Sequence, residues 1–253
     1  MIVLKEKNMA TKINVGTLIS GGGTNLQAII DACLGNLIDA DIIFTGSDTP
    51  GVKGLERARK ATIDTFVVDY ADIIRSCKKN GIKDADLPKD FNLEQILSKQ
   101  KLLAGDASTE QVEFFLKTRA IAERKLLDVI LAYDMDLLVL AGFMRVLTPY
   151  FIDRINTEPG LYKIMNIHPA LLPAFPGTDG YGDTFAYGCK IGGCTVHYID
   201  YGEDTGPIIG QKAFEIKDDD TLEDIRRKGL EKEWALYPQC IQKFAELLNK
   251  PAV

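Results

Sequence analysis

Hydrophobic positions recur along this chain in a regular succession. Residues 13–19, mostly apolar and of strand length, read as a first buried strand, closed by Ser20-Gly21-Gly22-Gly23-Thr24-Asn25. Residues 26–34 then repeat apolar positions at helical spacing. The rhythm continues with a strand over 41–45, a short charged helix over 51–61 and a strand over 65–68. Strands alternating with helices predict an α/β fold with a mostly parallel, doubly wound sheet and helices on both faces.

Residues 71–107 break the rhythm. Charges are dense there, and Lys78-Lys79-Asn80-Gly81 and the stretch 84–90 read as loop, with short helices only around Ile73 and Ile96. Too few apolar residues are present for a separate core, so the segment reads as a surface insertion within a single domain spanning 1–253. Ser108-Thr109-Glu110-Gln111 then reads as a capping box that opens a helix to about residue 133. Val112, Phe115, Leu116, Ala120, Leu126, Leu127, Ile130 and Leu131 share one face of it, with Arg119 and Glu123 inside that face. This pair reads either as an i,i+4 ion pair or as a guanidinium aimed at an anionic ligand.

Residues 137–141 are wholly apolar and predict a central strand. Gly142 to Leu147 follow, either as plain loop and helix start or as an apolar wall with exposed backbone for a flat heterocycle. A glycine- and tyrosine-rich loop is expected over 178–184. The β-rich runs 193–199 and 207–216 are joined so briefly that they must pair antiparallel. Asp220 is the expected cap of the last helix, with Glu223 at its third position. Ile225, Gly229, Leu236, Cys240 and Leu247 form that helix's inner face, and Pro238 predicts a kink. Glu233 lies among these inner residues, where a carboxylate is usually paired or near a ligand.

Two stretches carry candidate chemistry. The glycine turn exposes backbone N–H groups at the positive end of a helix, a ready anion site, although a tight turn without a ligand accounts for it equally well. It is neither a Walker A loop nor a full dinucleotide fingerprint, since no Gly-Lys-Ser/Thr follows and Leu26 replaces the third glycine. The second stretch is Ile164 to Pro173, an apolar strand that ends in Asn166 and His168. Two residues apart on an extended chain, they point to the same side, and Pro169 stops the ladder. Strand ends of such sheets bind ligands. The alternative is an outward polar face or a histidine satisfied within the core. With no nucleophile motif in view, an amide donor, an imidazole and the carboxylates of the 200–204 loop suit direct acyl transfer or hydrolysis.

Composition narrows the partners. A formal charge of −6 over 253 residues argues against a nucleic-acid or anionic-membrane surface, while leaving room for a local phosphate pocket. Small-molecule partners are expected, and a homodimer is left open. The five cysteines have no CxxC spacing and no metal-ligand cluster is visible, so reduced thiols in a cytoplasmic protein are expected. Residues 1–12 read as an N-terminal extension without a signal peptide, with Met9 as an alternative start.

Four motifs occur in order: Ile19-Ser-Gly-Gly-Gly-Thr-Asn-Leu-Gln27, Leu140-Ala-Gly-Phe-Met-Arg145, Asn166-Ile-His-Pro-Ala-Leu-Leu-Pro173, and Asp200-x-x-x-Asp204-x-Gly-Pro-Ile-Ile209. Together they resemble the phosphoribosylglycinamide formyltransferase family, the folate-dependent enzymes of purine synthesis. The resemblance covers residues 13–248 apart from 71–107. It implies a Rossmann-like formyltransferase fold, and formyl transfer from 10-formyltetrahydrofolate, as co-substrate, to the amine of glycinamide ribonucleotide. By that resemblance Gly23, Thr24 and Asn25 hold the ribonucleotide phosphate, and Glu233 lies on the ribonucleotide side. Arg119 lies beside the folate. Met144, Arg145, Val146 and Leu147 line the pterin pocket, bordered also by Asn166 and by Asp200 and Asp204 on a closing loop. Asn166, His168 and Asp204 match the catalytic set, as oxyanion donor, general acid or oxyanion stabiliser, and partner of the imidazolium respectively. His197 reads as structural or supporting.

Two departures from the family stand out. After Phe175-Pro176-Gly177 the family commonly carries a histidine, whereas this chain reads Thr178-Asp179-Gly180, and the insertion before Arg119 is longer than usual. Of the rival readings, the formyltetrahydrofolate deformylase carries an extra N-terminal domain for which the short start leaves no room. Methionyl-tRNA formyltransferase adds a C-terminal RNA-binding domain. A non-catalytic folate- and phosphate-binding relative would not need Asn166, His168 and Asp204 together.

Overall fold

A computed structural model describes residues 11–101 and 107–250; most of the expected N-terminal extension lies outside these residues. In chain order the elements are β1 (Ile13–Ile19), α1 (Thr24–Leu34), β2 (Ala40–Ser47), α2 (Lys53–Lys60), β3 (Asp64–Val67), α3 (Tyr70–Asn80), α4 (Leu93–Lys99), α5 (Thr109–Ile130), β4 (Leu137–Leu140), α6 (Pro149–Ile155), β5 (Ile164–His168), α7 (Gly180–Tyr187), β6 (Ile191–Tyr198), β7 (Ile208–Glu215) and α8 (Leu222–Leu248). One seven-stranded sheet carries all the strands in the order β3-β2-β1-β4-β5-β6-β7. The first five in that order are parallel, and β6 and β7 are antiparallel.

Period-2 alternation distributes the core. Val15 and Ile19 of β1 and Leu137 and Val139 of β4 pack on one face against α1, α2 and α8. Leu18, Leu138 and Leu140 face the other way, against α5 and α6. Strands buried on both faces have no polar alternation to show, which is why they read as continuous apolar runs. Each leucine so buried stabilises the fold by roughly 1.5–3 kcal/mol. After β1 the chain moves to β2 on one side, and β4 lies on the other side of β1. A crevice opens at such a reversal, beyond the carboxyl ends of the strands. The turns there are stitched together: Ser20 N–H donates to the Gly142 carbonyl at 2.9 Å, and Met144 N–H to Ser20 Oγ at 2.8 Å.

Several expectations need correction. Lys78-Lys79-Asn80 is the end of α3 rather than loop. Tyr70 and Ile96 are buried in the core cluster, with Ile73, Phe91, Leu93 and Leu97 packed against it; the described part of the insertion packs through α3 and α4 on α5 and α6 and otherwise faces solvent. The glycine-rich stretch 178–184 contains most of a helix, α7, because the Asp179 side chain accepts from Gly182 N–H at 3.3 Å and caps it. Thr221, not Asp220, caps α8, in a reciprocal box with Asp224; Asp220 instead accepts from Lys217 N–H at 2.7 Å. Leu131 and Leu247 lie near helix ends, past the covered stripe, and are exposed. Pro238 is buried inside α8, which is helical from Leu222 to Leu248, and the stretch from Gly142 to Leu147 is loop that leads into α6.

Candidate active site

The crevice holds a cleft of about 270 Å³. Asn25, Met144, Arg145, Val146, Leu147, Asn166, His168, Asp200, Asp204 and Glu233 all border it. Residues more than two hundred positions apart therefore meet at one place. Gly23, Thr24 and Arg119 do not border the cleft. Gly23 is the N-cap of α1 at φ +68°, with no side chain capping the helix. A Cβ there would lie 2.7 Å from the Gly54 backbone, so glycine is required.

Asn166 and His168 emerge together from the end of β5. His168 is almost fully buried, with Nδ1 3.1 Å from Asp204 Oδ2 and Nε2 2.7 Å from the Phe175 carbonyl oxygen. Both ring nitrogens face acceptors, an arrangement satisfied only by the doubly protonated ring. Burial alone would push this imidazole down. The Asp204 hydrogen bond and charge, the Phe175 carbonyl and the charge of Glu233 outweigh burial and raise it above the ordinary histidine value.

Asp204 sits at φ +53° on the loop between β6 and β7. Burial opposes its charge, but His168, His197 and the Gly177 N–H donor at 2.9 Å hold its carboxyl well below the usual carboxylate range. The loop is itself braced. Asp200 Oδ1 accepts from Gly202 N–H at 3.0 Å and from Thr205 Oγ1 at 2.7 Å. Lys101 N–H donates to the Tyr201 carbonyl at 2.9 Å, while Tyr201 Oη and Lys99 both bond Asp153 on α6. The far end of the insertion thus reaches the loop that carries Asp204.

His197 stands directly opposite Asn166 in the β5–β6 register. Its Nδ1 donates to the Tyr198 carbonyl at 2.9 Å, and its Nε2 lies 3.4 Å from both Asn166 Nδ2 and Asp204 Oδ1. The expected supporting role thus has a concrete form, contact with two of the three site residues. On the opposite wall, Glu233 accepts from Asn25 Nδ2 and from Tyr181 Oη, each at 2.6 Å. Burial raises the Glu233 carboxyl, while these donors and the charge of His168 work against that rise.

Arg145 pairs with the buried Asp48. Arg119 is buried against the rings of Phe115 and Tyr70, 4.9 and 5.5 Å from their centroids. Its Nε and Nη1 have no hydrogen-bond partner. Glu123 does not pair with it at hydrogen-bond distance but accepts from Thr148 N–H and Oγ1, at 2.8 and 2.5 Å. Among the described residues no group of three or more His, Cys, Asp or Glu is placed to hold a metal ion. Sequence reasoning missed Tyr181, the Phe175 carbonyl and the Gly177 amide. Only the unusual tyrosine-rich stretch beside Phe175 hinted at them.

Residues 13–241, nearly the whole chain, match the profile of the family described as formyl transferase. The chain belongs to the formyl transferase family. This formyl transferase is 32% identical over 233 residues to phosphoribosylglycinamide formyltransferase of Bacillus subtilis, covering 91% of the chain and 94% of that protein. It is 47% identical over 211 residues to the Mycobacterium tuberculosis protein of the same name, covering 83% and 75%. Among solved structures it is similar to glycinamide ribonucleotide transformylase 1 from Symbiobacterium toebii, with a TM-score of 0.69 and 34% identity, covering 93% of the chain and 88% of that structure. It also spans 14% to 19% of the length of trifunctional purine biosynthetic proteins.

Proposed function

We propose that the chain transfers a formyl group from 10-formyltetrahydrofolate to the amine of glycinamide ribonucleotide, a step of purine synthesis. The observation that carries this reading is the His168 imidazole, flanked by Asn166, with Nδ1 3.1 Å from Asp204 Oδ2. The names of the relatives supply the substrate pair.

The substrate amine attacks the formyl carbon, and the carbonyl π electrons move onto oxygen. Asn166 donates an N–H to that oxyanion, and His168 contributes its positive charge and, on leaving the Phe175 carbonyl, its Nε2 proton. The intermediate collapses by breaking the bond from the formyl carbon to the folate nitrogen. The proton lost by the attacking amine replaces the one gained by the leaving nitrogen, with His168 and Asp204 organising the relay. The apolar wall of Val146 and Leu147, with Met144 at its rim, suits a flat pterin. Arg119, with two unpartnered nitrogens, suits an anionic part of the folate. Gly23, Thr24 and Asn25 suit the ribonucleotide phosphate. The five free cysteines fit a reducing cytoplasm.

A formyl-transfer assay with and without glycinamide ribonucleotide tests the reading. Loss of the formyl group only when the ribonucleotide is present is the expected result. Equal loss without it would make the protein a hydrolase.

A further inference from the structure

Glu233 enters the cleft wall from α8 with only 5% of its surface exposed. A carboxylate offers about four lone-pair sites. Asn25 Nδ2 and Tyr181 Oη occupy one on each oxygen, which leaves the others for groups in the cleft. The two donors also hold the carboxylate in one orientation.

Tyr181 comes from the second position of α7. Three features aim its hydroxyl. Asp179 caps the helix two residues earlier, and its Oδ1 lies 3.3 Å from Arg226 Nη2 on α8. Gly180 presses against the preceding segment, so closely that a Cβ would lie 2.7 Å from the Pro169 carbonyl oxygen. Gly229, one turn before Glu233, leaves a gap that the ring fills; a Cβ there would lie 2.1 Å from Tyr181 Cζ. On the far side of Glu233, one turn on, Tyr237 Oη is 3.0 Å from the Leu140 and Met165 carbonyls and pins α8 to the end of β4 and the first half of β5.

We propose that Tyr181 is a positioning residue for the ribonucleotide: it orients Glu233 so that the free lone pairs of the carboxylate meet hydroxyl or amine donors of that substrate. The proposal rests on reading Glu233 as a ribonucleotide contact. Tyr181 and Asn25 also favour the charged carboxylate against burial, which keeps it an acceptor.

The test compares Tyr181→Phe and Glu233→Gln in the full chain, with glycinamide ribonucleotide and 10-formyltetrahydrofolate varied separately. Tyr181→Phe keeps the ring and removes one hydrogen bond to a charged group, so KM for the ribonucleotide should rise about tenfold. KM for the formyl folate should stay unchanged. The acid limb of kcat/KM for the ribonucleotide should also move to higher pH, because Glu233 loses a donor that favoured its charged form. Gly229→Ala, which displaces the ring, should reproduce the KM effect. A lower melting temperature with unchanged KM and pH profile would reduce Tyr181 to packing and overturn the proposal. If Glu233→Gln raises the ribonucleotide KM while Tyr181→Phe does not, the Tyr181 assignment alone is wrong. If neither variant moves it, Glu233 is not a ribonucleotide contact and both assignments fall.

Discussion

Asp204 and Glu233 border one cleft with His168, yet their surroundings drive them in opposite directions. Asp204 lies on a loop and is met by the His168 and His197 rings and a backbone amide, so its charge is strongly favoured despite burial. Glu233 lies on a long helix and is met by two neutral donors, an amide and a phenol, so burial prevails and its carboxyl is raised. Glu123 extends the series: fully buried and bonded only by Thr148, it is pushed up to about 8. The number of bonds differs little among the three. The charge of the donor and the depth of the site decide the outcome. Two carboxyl groups pushed apart in this way suit separate tasks, and the roles proposed above, a fixed anion beside His168 and an acceptor for substrate, are of that kind.

The largest effect should come from removing the charge that separates the two. His168→Ala should lower kcat by roughly a hundredfold or more, the scale of acid–base and oxyanion groups. Steady-state formyl transfer measures this, and near-normal turnover would end the assignment. Asp204→Asn should have a smaller effect on kcat but a distinct signature. The aspartate holds the His168 pKa up, so without it the ring deprotonates earlier and the basic limb of the pH–rate profile moves to lower pH. A basic limb that stays in place would show that Asp204 does not govern His168.

Glu123→Gln should have the smallest effect, on stability alone. The folded-state value of Glu123 lies above that of an unfolded glutamate. Its favourable proton uptake is therefore fully present below the unfolded value and is lost as pH rises through about 8. Between pH 7 and 9 the wild-type melting temperature should fall a few degrees further than that of the variant. Parallel curves would mean that burial does not dominate at this carboxyl.

Much of the site was legible because it lies at the ends of apolar runs. Residues 13–19 and 137–141 read as buried strands and 164–168 as a strand ending in polar residues; that Asn166 and His168 face the crevice was one of two readings the sequence left open. Arg119, Glu123 and Glu233 stood out as charges on apolar helix faces, and all three are buried. The helix α7 was illegible because glycine-rich segments carry little propensity and its existence depends on the Asp179 cap. The insertion's packing on α5 was not legible because its few apolar residues are spread over some thirty positions and share a face only in the folded chain.

Local chemistry in the sequence determined the strand periods, the antiparallel return of β6 and β7, and which polar residues stand at strand ends. These follow from steric preferences and side-chain alternation within a few residues. Tertiary structure alone decided that His168 faces two acceptors, that His197 sits opposite Asn166, and that Tyr181 and Asn25 share Glu233. Hydrogen bonds and burial act over a few ångströms, and those distances exist only when residues far apart in the chain are brought together.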